Sequence, residues 1–154
     1  MSPTRDIFTH RKRHPGFGAK VIGDKLTAIP EWVADYIGIP FEEKNCWQLV
    51  CMVYDQKFGI HLCDYALEYK NAIDKENIRR IYQRELKIWQ KVETPLFGDV
   101  IVLEIQGQPW HAGIVVSKQF MLHTERKIES VVESYNGLIW KNKIIGYYRY
   151  RPGQ

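Results

Sequence analysis

The amino-acid pattern changes near Asp99, and this change limits the fold more than any other feature of the sequence. Before Asp99, apolar residues recur three and four positions apart, which is typical of helices. After Asp99, they fall in short runs rich in β-branched and aromatic residues, separated by turn residues. These runs are Val100–Ile105, His111–Val116, Phe120–His123, Ile128–Val132 and Ile144–Tyr150. Helices followed by strands predict an α+β fold in which N-terminal helices pack on an antiparallel β-sheet.

Three helices are predicted ahead of the strands. The first is a short helix over Glu31–Tyr36, and the second begins at Cys46 and continues for about a dozen residues until Gly59 stops it. An irregular connector over Ile60–Tyr69 separates it from a third helix, which Asp74 can cap and which ends before Pro95. The residues along one side of each predicted helix are, in order, Trp32, Val33 and Tyr36; Cys46, Leu49, Val50, Val53 and Lys57; and Ile78, Ile81, Tyr82, Glu85 and Trp89.

Length and composition indicate one globular domain. The chain has 154 residues, 45% of them hydrophobic, with no apolar run near the ~18 residues that a membrane-spanning helix needs. We therefore expect no membrane span. Because Met1–Lys25 contains no apolar signal segment, we expect cytoplasmic synthesis without a signal peptide. Three cysteines are an odd number, which favours free thiols in a reducing compartment over a disulfide framework.

The positive charge is concentrated at the N-terminus. Residues 1–25 contain six Lys/Arg and two acidic residues, which leaves sixteen of each in the rest of the chain. Together with Pro15, Gly16 and Gly18, this predicts a basic flexible arm over residues 1–25 and a single domain over residues 26–154. Such an arm could contact nucleic acid, an anionic glycopolymer or an acidic partner, although it is more often merely solvated. We do not expect nucleic acid to be a partner.

Cys46 stands where a polar loop gives way to an apolar helix. Asn45 is a favourable N-cap residue, and a thiol in the first turn lies beside backbone N–H groups at the positive end of the helix dipole. Both features stabilise the thiolate, and the same N–H groups suit the oxyanion that forms when a thiolate attacks a carbonyl. Cys46 is therefore a candidate nucleophile. Taken alone, the position fits a small packing side chain equally well, because free cysteine is often buried.

A cysteine nucleophile needs a base, and two histidines are candidates. His111 begins one predicted strand and His123 ends the next, so a hairpin would bring both to one end of the sheet. A three-residue loop would pair Gly113 with His123 and place both imidazoles on the same face of the sheet, whereas a two-residue loop would place them on opposite faces. Each histidine alone also fits an ordinary strand-end position.

These segments, in this order, resemble the NlpC-type cell-wall cysteine peptidases of the papain-like superfamily. The resemblance is carried by Cys46 to Ile60, Gly98-Asp99-Val100, His111-Ala112-Gly113-Ile114-Val115 and Met121-Leu122-His123. Trp32, Tyr36 to Pro40, Cys46-Trp47 and Ile145 to Arg149 are similar to the phage-tail branch of that family. Relatives usually have Asp-Cys followed by small residues, where this chain has Asn45-Cys46 and Trp47-Gln48. A Gly-Gly segment of the family is missing between Phe41 and Asn45.

The resemblance implies a papain-like NlpC-type fold and hydrolysis of peptide bonds in peptidoglycan stem peptides. Cys46 would attack, His111 would act as the base and His123 would orient His111, without metal or cofactor. The expected partners are the stem peptides and other phage tail proteins, and the expected location is the tail of the virion. Two alternatives stay open: a thiol acyltransferase of the same superfamily, and a tail-tip assembly protein whose site is idle.

Four further residues have other interpretations. Cys51 lies roughly 140° around the helix from Cys46, so we interpret it as a packing residue. His61 and Cys63 form one His-x-Cys pair, which is too few ligands for a typical zinc site. Asp99 at a strand start is expected to bond backbone N–H groups of the local turn.

Overall fold

The computed structural model describes residues 21–62, 76, 80, 83–84, 86–125 and 127–151. A 3₁₀ helix spans Glu31–Tyr36, and the α-helix α1 spans Cys46–Val53 and continues into a π-helical turn, Tyr54–Phe58. Gly59 ends this run in the left-handed region at φ 67°, as predicted. A second 3₁₀ helix, Leu86–Ile88, leads into the first strand. Residues 1–20 of the predicted arm lie outside the described residues.

Within the described residues, six strands form one antiparallel sheet in the order β1-β6-β2-β3-β4-β5. Their bounds are β1 Trp89–Val92, β2 Val100–Ile105, β3 Gln108–Ser117, β4 Phe120–His123, β5 Val131–Ser134 and β6 Ile144–Tyr150. Three predicted strands therefore have the bounds that the sequence indicated, and β3 is longer at both ends. The α+β prediction is confirmed, because α1 packs against β3 and β4.

The prediction that Trp89 belongs to a third helix is wrong. Trp89 begins β1, pairs with Tyr150 of β6, and is buried against the rings of Tyr54 and Tyr150. Its spacing from the preceding apolar residues mimics a helical repeat, but pairing with β6 satisfies its backbone instead. The other residues predicted for that helix, Ile78, Ile81, Tyr82 and Glu85, lie outside the described residues, as do Asp74 and the connector from residue 63 onward.

The fourth predicted strand, Ile128–Val132, is displaced toward the C-terminus. Ser130 does not pair within the sheet, because its N–H donates to the carbonyl of Ile39 at 2.9 Å and its hydroxyl donates to the carbonyl of Tyr36 at 2.5 Å. Ser130 thus ties the end of the first 3₁₀ helix to the sheet. Pairing with β4 begins one residue later, at Val131 opposite His123.

The β3–β4 hairpin places the two histidines by a route that the sequence did not indicate. Its loop has only two residues, because Ser117 pairs with Phe120, yet a bulge between Val115 and Ser117 adds a residue to β3. Beyond the bulge, Ile114 pairs with Leu122 and the Cβ of His123 lies 3.1 Å from the Cβ position of Gly113. The predicted register of Gly113 opposite His123 is therefore confirmed, with a two-residue loop.

Apolar side chains pack on both faces of the sheet. The main core joins α1 to one face, and it includes Leu49, Val50 and Val53 of the helix with Ala112 and Ile114 of β3. A second cluster covers the other face and consists of Ile101, Leu103, Val115, Met121, Tyr135 and Trp140. The residues of β3 thus alternate between the two clusters, as the pleat of a strand requires.

We predict that Gly113→Ala destabilises the fold by roughly 1–3 kcal/mol, because overpacking a tight site has costs of that size. A Cβ at this position would lie 3.0 Å from the carbonyl oxygen of Leu122 and 3.1 Å from Cβ of His123. Urea denaturation measures the change. The control is Gly137→Ala, where the nearest atom is 3.6 Å away. Equal stability of the two variants would show that β3 and β4 lie farther apart than this register requires.

Candidate active site

Cys46 occupies the first turn of α1, and local hydrogen bonds define that start. The side chain of Asn45 accepts a hydrogen bond from the N–H of Gln48 at 2.9 Å, and the side chain of Gln48 accepts one from the N–H of Asn45 at 3.1 Å. This is a capping box, and it confirms Asn45 as the N-cap. Gln48 therefore has a structural role at the start of α1. The Cys46 side chain is half-buried.

His111 and His123 form a buried pair on one face of the sheet. Nε2 of His111 lies 2.7 Å from Nδ1 of His123, and the two rings meet edge to face with centroids 5.0 Å apart. The exposed fractions of the two residues are 2% and 0%. The prediction that both imidazoles share one face of adjacent antiparallel strands is confirmed. Because Nε2 of His111 bonds His123, Nδ1 is the His111 nitrogen that could act on a substrate or a nucleophile.

Burial sets the protonation state of this pair. Removal from water and, to a smaller extent, the neighbouring His123 together lower the pKa of His111 to about 3. Burial also lowers the pKa of His123, while the Glu133 carboxylate opposes that change. His111 is consequently neutral near pH 7, and a neutral imidazole is the form that can take up a proton as a general base.

The sequence did not identify two residues that enclose the pair, Trp140 and Glu133. The Trp140 ring stacks on His111 at 5.1 Å with an interplanar angle of 13°, and it meets His123 edge to face at 5.5 Å. Its indole N–H donates to the carboxylate of Glu133. Glu133 pairs across the sheet with Met121, two residues before His123. The available sequence signal was weak, because the predicted strand ended at Val132 and left Glu133 outside the sheet.

The predicted site has two parts, the start of α1 and the histidine pair on the sheet. Helix α1 packs against the Ala112 side of β3, whereas His111 and His123 lie with Trp140 on the other side. Both halves involve β3, since α1 lies on that strand and His111 belongs to it. The pairing of the Cys46 sulfur with the His111 ring stays a prediction.

Asp99 has the structural role that we predicted, and it has a second partner. Its carboxylate accepts a hydrogen bond from the N–H of Leu96 at 2.7 Å, which closes the turn before β2. The same carboxylate also receives two hydrogen bonds from Arg149 of β6, at 2.9 and 2.7 Å, and it is fully buried. The Arg149 contact joins two neighbouring strands and was not expected from the sequence. Asp99 therefore links the start of β2 to the neighbouring strand β6.

Cys51 and His61 are the two other chemically active candidates that the described part of the chain contains. Cys51 is half-buried and packs against the main core, which confirms it as a packing residue. His61 is exposed and lies 3.8 Å from Asp55, and Cys63 lies outside the described residues. No group of three or more His, Cys, Asp or Glu residues in the described part of the chain is arranged to hold a metal ion.

The low pKa of His111 predicts a pH-dependent stability. Between pH 6.5 and about 3, the unfolded chain binds a proton at His111 that the folded chain does not, so stability is complete above pH 6.5 and falls as the pH falls. The slope from this group is at most about 1.4 kcal/mol per pH unit. Urea denaturation at several pH values should show a steeper loss for the unmodified chain than for His111→Gln. Parallel slopes would contradict a buried neutral His111.

The class of protein is an α+β fold with a cysteine at a helix start and a buried histidine pair on its sheet. Comparison with known sequences identifies the family. The sequence profile of the NlpC/P60 family matches residues 35–149, which is more than half of the chain. The chain belongs to the NlpC/P60 family. The matched span contains Cys46, His111 and His123, so all three candidate residues lie inside the family domain.

Two similar proteins come from a phage and from a bacterium. Tail tip assembly protein K of Escherichia phage N15 is 27% identical over 135 residues, which cover 84% of this chain and 55% of that protein. The chain thus spans about half the length of this curated relative. A crystal structure of a protein described as similar to a lipoprotein of the NLP/P60 family, from Staphylococcus aureus subsp. aureus Mu50, matches with a TM-score of 0.54 and 20% identity. That match covers 75% of this chain and 38% of the other, and it shows a shared fold.

Within the part of the chain that the structure describes, no helix has both the length and the apolar character needed to cross a lipid bilayer.

Proposed function

We propose that this protein is a cysteine peptidase or amidase that hydrolyses peptide bonds in peptidoglycan stem peptides. The observation that carries the proposal is the buried hydrogen bond between His111 and His123 in a chain of the NlpC/P60 family. The burial of two imidazoles needs a functional reason, because removing polar rings from water costs free energy, whereas removing apolar side chains from water does not. A base and its orienting group supply that reason, and Cys46 at the start of α1 supplies a nucleophile.

The proposed reaction is acyl transfer through a thioester. Nδ1 of His111 takes the proton from the Cys46 thiol, and the sulfur attacks the carbonyl carbon of the peptide bond. Backbone N–H groups in the first turn of α1 stabilise the oxyanion. The C–N bond then breaks as His111 returns the proton to the leaving amine. Water attacks the thioester with His111 as base, which releases the carboxylic acid and restores the thiol.

We place this activity in a phage tail, as a component that opens the cell wall locally. The similarity to a tail tip assembly protein supports this context. The same similarity favours one alternative, an assembly protein that keeps the fold and uses its basic N-terminal arm to bind neighbouring tail proteins. Removing residues 1–25 separates the two roles. Loss of tail assembly with hydrolysis intact would assign the arm to docking, and loss of assembly without any detectable hydrolysis in the full chain would favour the alternative.

The direct test is incubation of the purified chain with a panel of peptidoglycan stem peptides, followed by mass spectrometry. We expect one peptide bond to be cleaved, with the mass of one water added across the two products. Adding a primary amine distinguishes a hydrolase from an acyltransferase, because an acyltransferase would form the amide of that amine. Absence of turnover on every peptide, with Cys46 confirmed as a free thiol, would contradict the proposal.

We also predict that Cys46 is the most reactive thiol. The N-terminus of a helix stabilises a thiolate, and settings of this kind bring a cysteine pKa from about 8.5 down to between ~3.5 and ~7.5, whereas an ordinary thiol is only about one per cent ionised at pH 6.5. With limiting iodoacetamide at that pH, peptide mapping should find Cys46 alkylated well ahead of Cys51 and Cys63. The difference should shrink in His111→Ala, which lacks the acceptor for the thiol proton. Labelling of Cys63 first would make Cys46 a packing residue.

A further inference from the structure

The outer nitrogen of His123 faces a carboxylate. Nε2 of His123 is fully buried and lies 3.7 Å from Oε1 of Glu133, and this nitrogen makes no hydrogen bond to any described residue. That separation is longer than a hydrogen bond but short enough for a strong electrostatic interaction inside a protein. A buried imidazole nitrogen directed at a carboxylate is expected to carry the proton.

The position of Glu133 is itself fixed by Trp140. The indole N–H of Trp140 donates to the same carboxylate oxygen, while the indole ring stacks on His111. Trp140 therefore contacts both ends of the series His111, His123 and Glu133. Glu133 is about one third exposed, and Glu125 and Lys143 are further charged groups near this corner of the sheet among the described residues.

The hydrogen bond between the two histidines can be made in two ways. Either Nε2 of His111 donates to Nδ1 of His123, or Nδ1 of His123 donates to Nε2 of His111. A neutral imidazole has one proton, so the second arrangement places the proton of neutral His111 on Nδ1. That nitrogen could then no longer accept a proton from a thiol. Only the first arrangement leaves His111 as a base, and it requires neutral His123 to be protonated at Nε2.

We propose that Glu133 is a positioning residue that holds His123 in the tautomer protonated at Nε2, so that Nδ1 of His123 accepts the hydrogen bond from His111. The negative charge of Glu133 favours a proton on the facing nitrogen over a proton on Nδ1. When His111 takes up the thiol proton, it becomes positively charged. The negative charge of Glu133, which faces the far side of His123, partly offsets that positive charge. No proton moves to Glu133 in any step. The kinetic consequence rests on the proposed function, whereas the tautomer of His123 does not.

The first test reads the tautomer without any substrate. Two-dimensional ¹H–¹⁵N spectra of the imidazole rings in the full chain distinguish protonated from unprotonated ring nitrogens. At pH 7.5 we expect His123 to be protonated at Nε2 in the unmodified chain and to gain a population protonated at Nδ1 in Glu133→Ala. Glu133→Gln should fall between the two, because an amide oxygen can accept the same proton but has no charge. His123 keeping the Nε2 proton alone in both variants would overturn the proposal.

The second test measures turnover of a stem peptide that the unmodified chain cleaves. We expect Glu133→Ala to lower kcat roughly ten-fold or more, less than loss of the base itself, which is worth about 10² to 10⁴. Glu133→Gln should recover part of this loss, and KM should change little. The matched control is Glu125→Gln, which removes a neighbouring carboxylate and should retain full activity. Equal kcat for Glu133→Ala and the unmodified chain would overturn the proposal.

The two tests also separate this proposal from the proposed function. If the unmodified chain cleaves no peptide while the tautomer shifts in Glu133→Ala, the hydrolase proposal fails and the positioning role stands. If peptides are cleaved but neither the tautomer nor kcat responds to Glu133→Ala, the positioning role fails and the hydrolase proposal stands. Thermal unfolding of each variant verifies that it is folded, and Glu133→Gln, which keeps the size of the side chain, provides the measurement if Glu133→Ala does not fold.

Discussion

Cys46→Ala is expected to abolish turnover of stem peptides while the protein stays folded. The proposed reaction has no other nucleophile, because the thioester forms on the sulfur of this residue. The structural cost should be small, at about 1 kcal/mol or less, because the side chain is half-buried and the start of the helix depends on Asn45 and Gln48. Measurements are the initial rate by mass spectrometry and the free energy of unfolding in urea.

Cys51→Ala is the matched control for this experiment. Cys51 is also half-buried in the same helix, but it packs against the main core. We expect it to lose stability to a similar or greater extent and to retain full turnover. Hydrolysis by Cys46→Ala at the rate of the unmodified chain would exclude Cys46 from the reaction. Equal loss of activity in Cys46→Ala and Cys51→Ala would indicate a general effect on the helix.

The second large effect is expected at the base. Replacing His111 should lower kcat by roughly 10² to 10⁴, which is the usual contribution of a general base. His111→Gln is preferable to His111→Ala, because the ring fills a buried site beneath Trp140 and truncation would leave a cavity there. Glutamine keeps polar atoms near His123 but has no basic nitrogen. The kcat of His111→Gln should therefore be reduced over the whole pH range in which the unmodified chain is active.

His123→Ala should lower kcat less than the replacement of His111 does. His123 does not take the proton from the thiol, and its proposed role is to hold the orientation and tautomer of His111 across a 2.7 Å contact. A mixture of tautomers retains some active molecules, whereas removal of the base retains none. If His123→Ala proves the more damaging variant, the assignment of base and orienting residue must be exchanged, and an unaffected rate in His111→Gln would exclude the base role altogether.

Local sequence rules were sufficient for the helix start and for most of the sheet. Asn45 and Gln48 satisfy each other's backbone within four residues, so the start of α1 was determined by nearest neighbours. The bounds of β2, β4 and β6 followed from short apolar runs between turn residues, because each run has to bury at least one face. The candidates Cys46, His111 and His123 were found in the same way, by residue type and position.

Partners far apart in the chain decided the rest. Trp89 lies in a strand because its backbone pairs with β6. Ser130 lies outside β5 because it donates hydrogen bonds to the carbonyl groups of Tyr36 and Ile39. The bulge in β3 placed His111 and His123 on one face, although a two-residue loop without it would have separated them. These outcomes depend on which backbone groups and side chains meet across the sheet, and spacing along the chain does not contain that information.

The sequence by itself therefore determined the class of fold, the helix that carries Cys46 and the presence of two histidines on neighbouring strands, because these features depend on contacts within a few residues. Only the tertiary structure decided how the two imidazoles are enclosed. Trp140 and Glu133 reach them from a loop and from β5, and Arg149 reaches Asp99 from β6. The physical reason is that burial, charge and hydrogen-bond direction at the site arise from strand order and register, which are properties of the whole sheet.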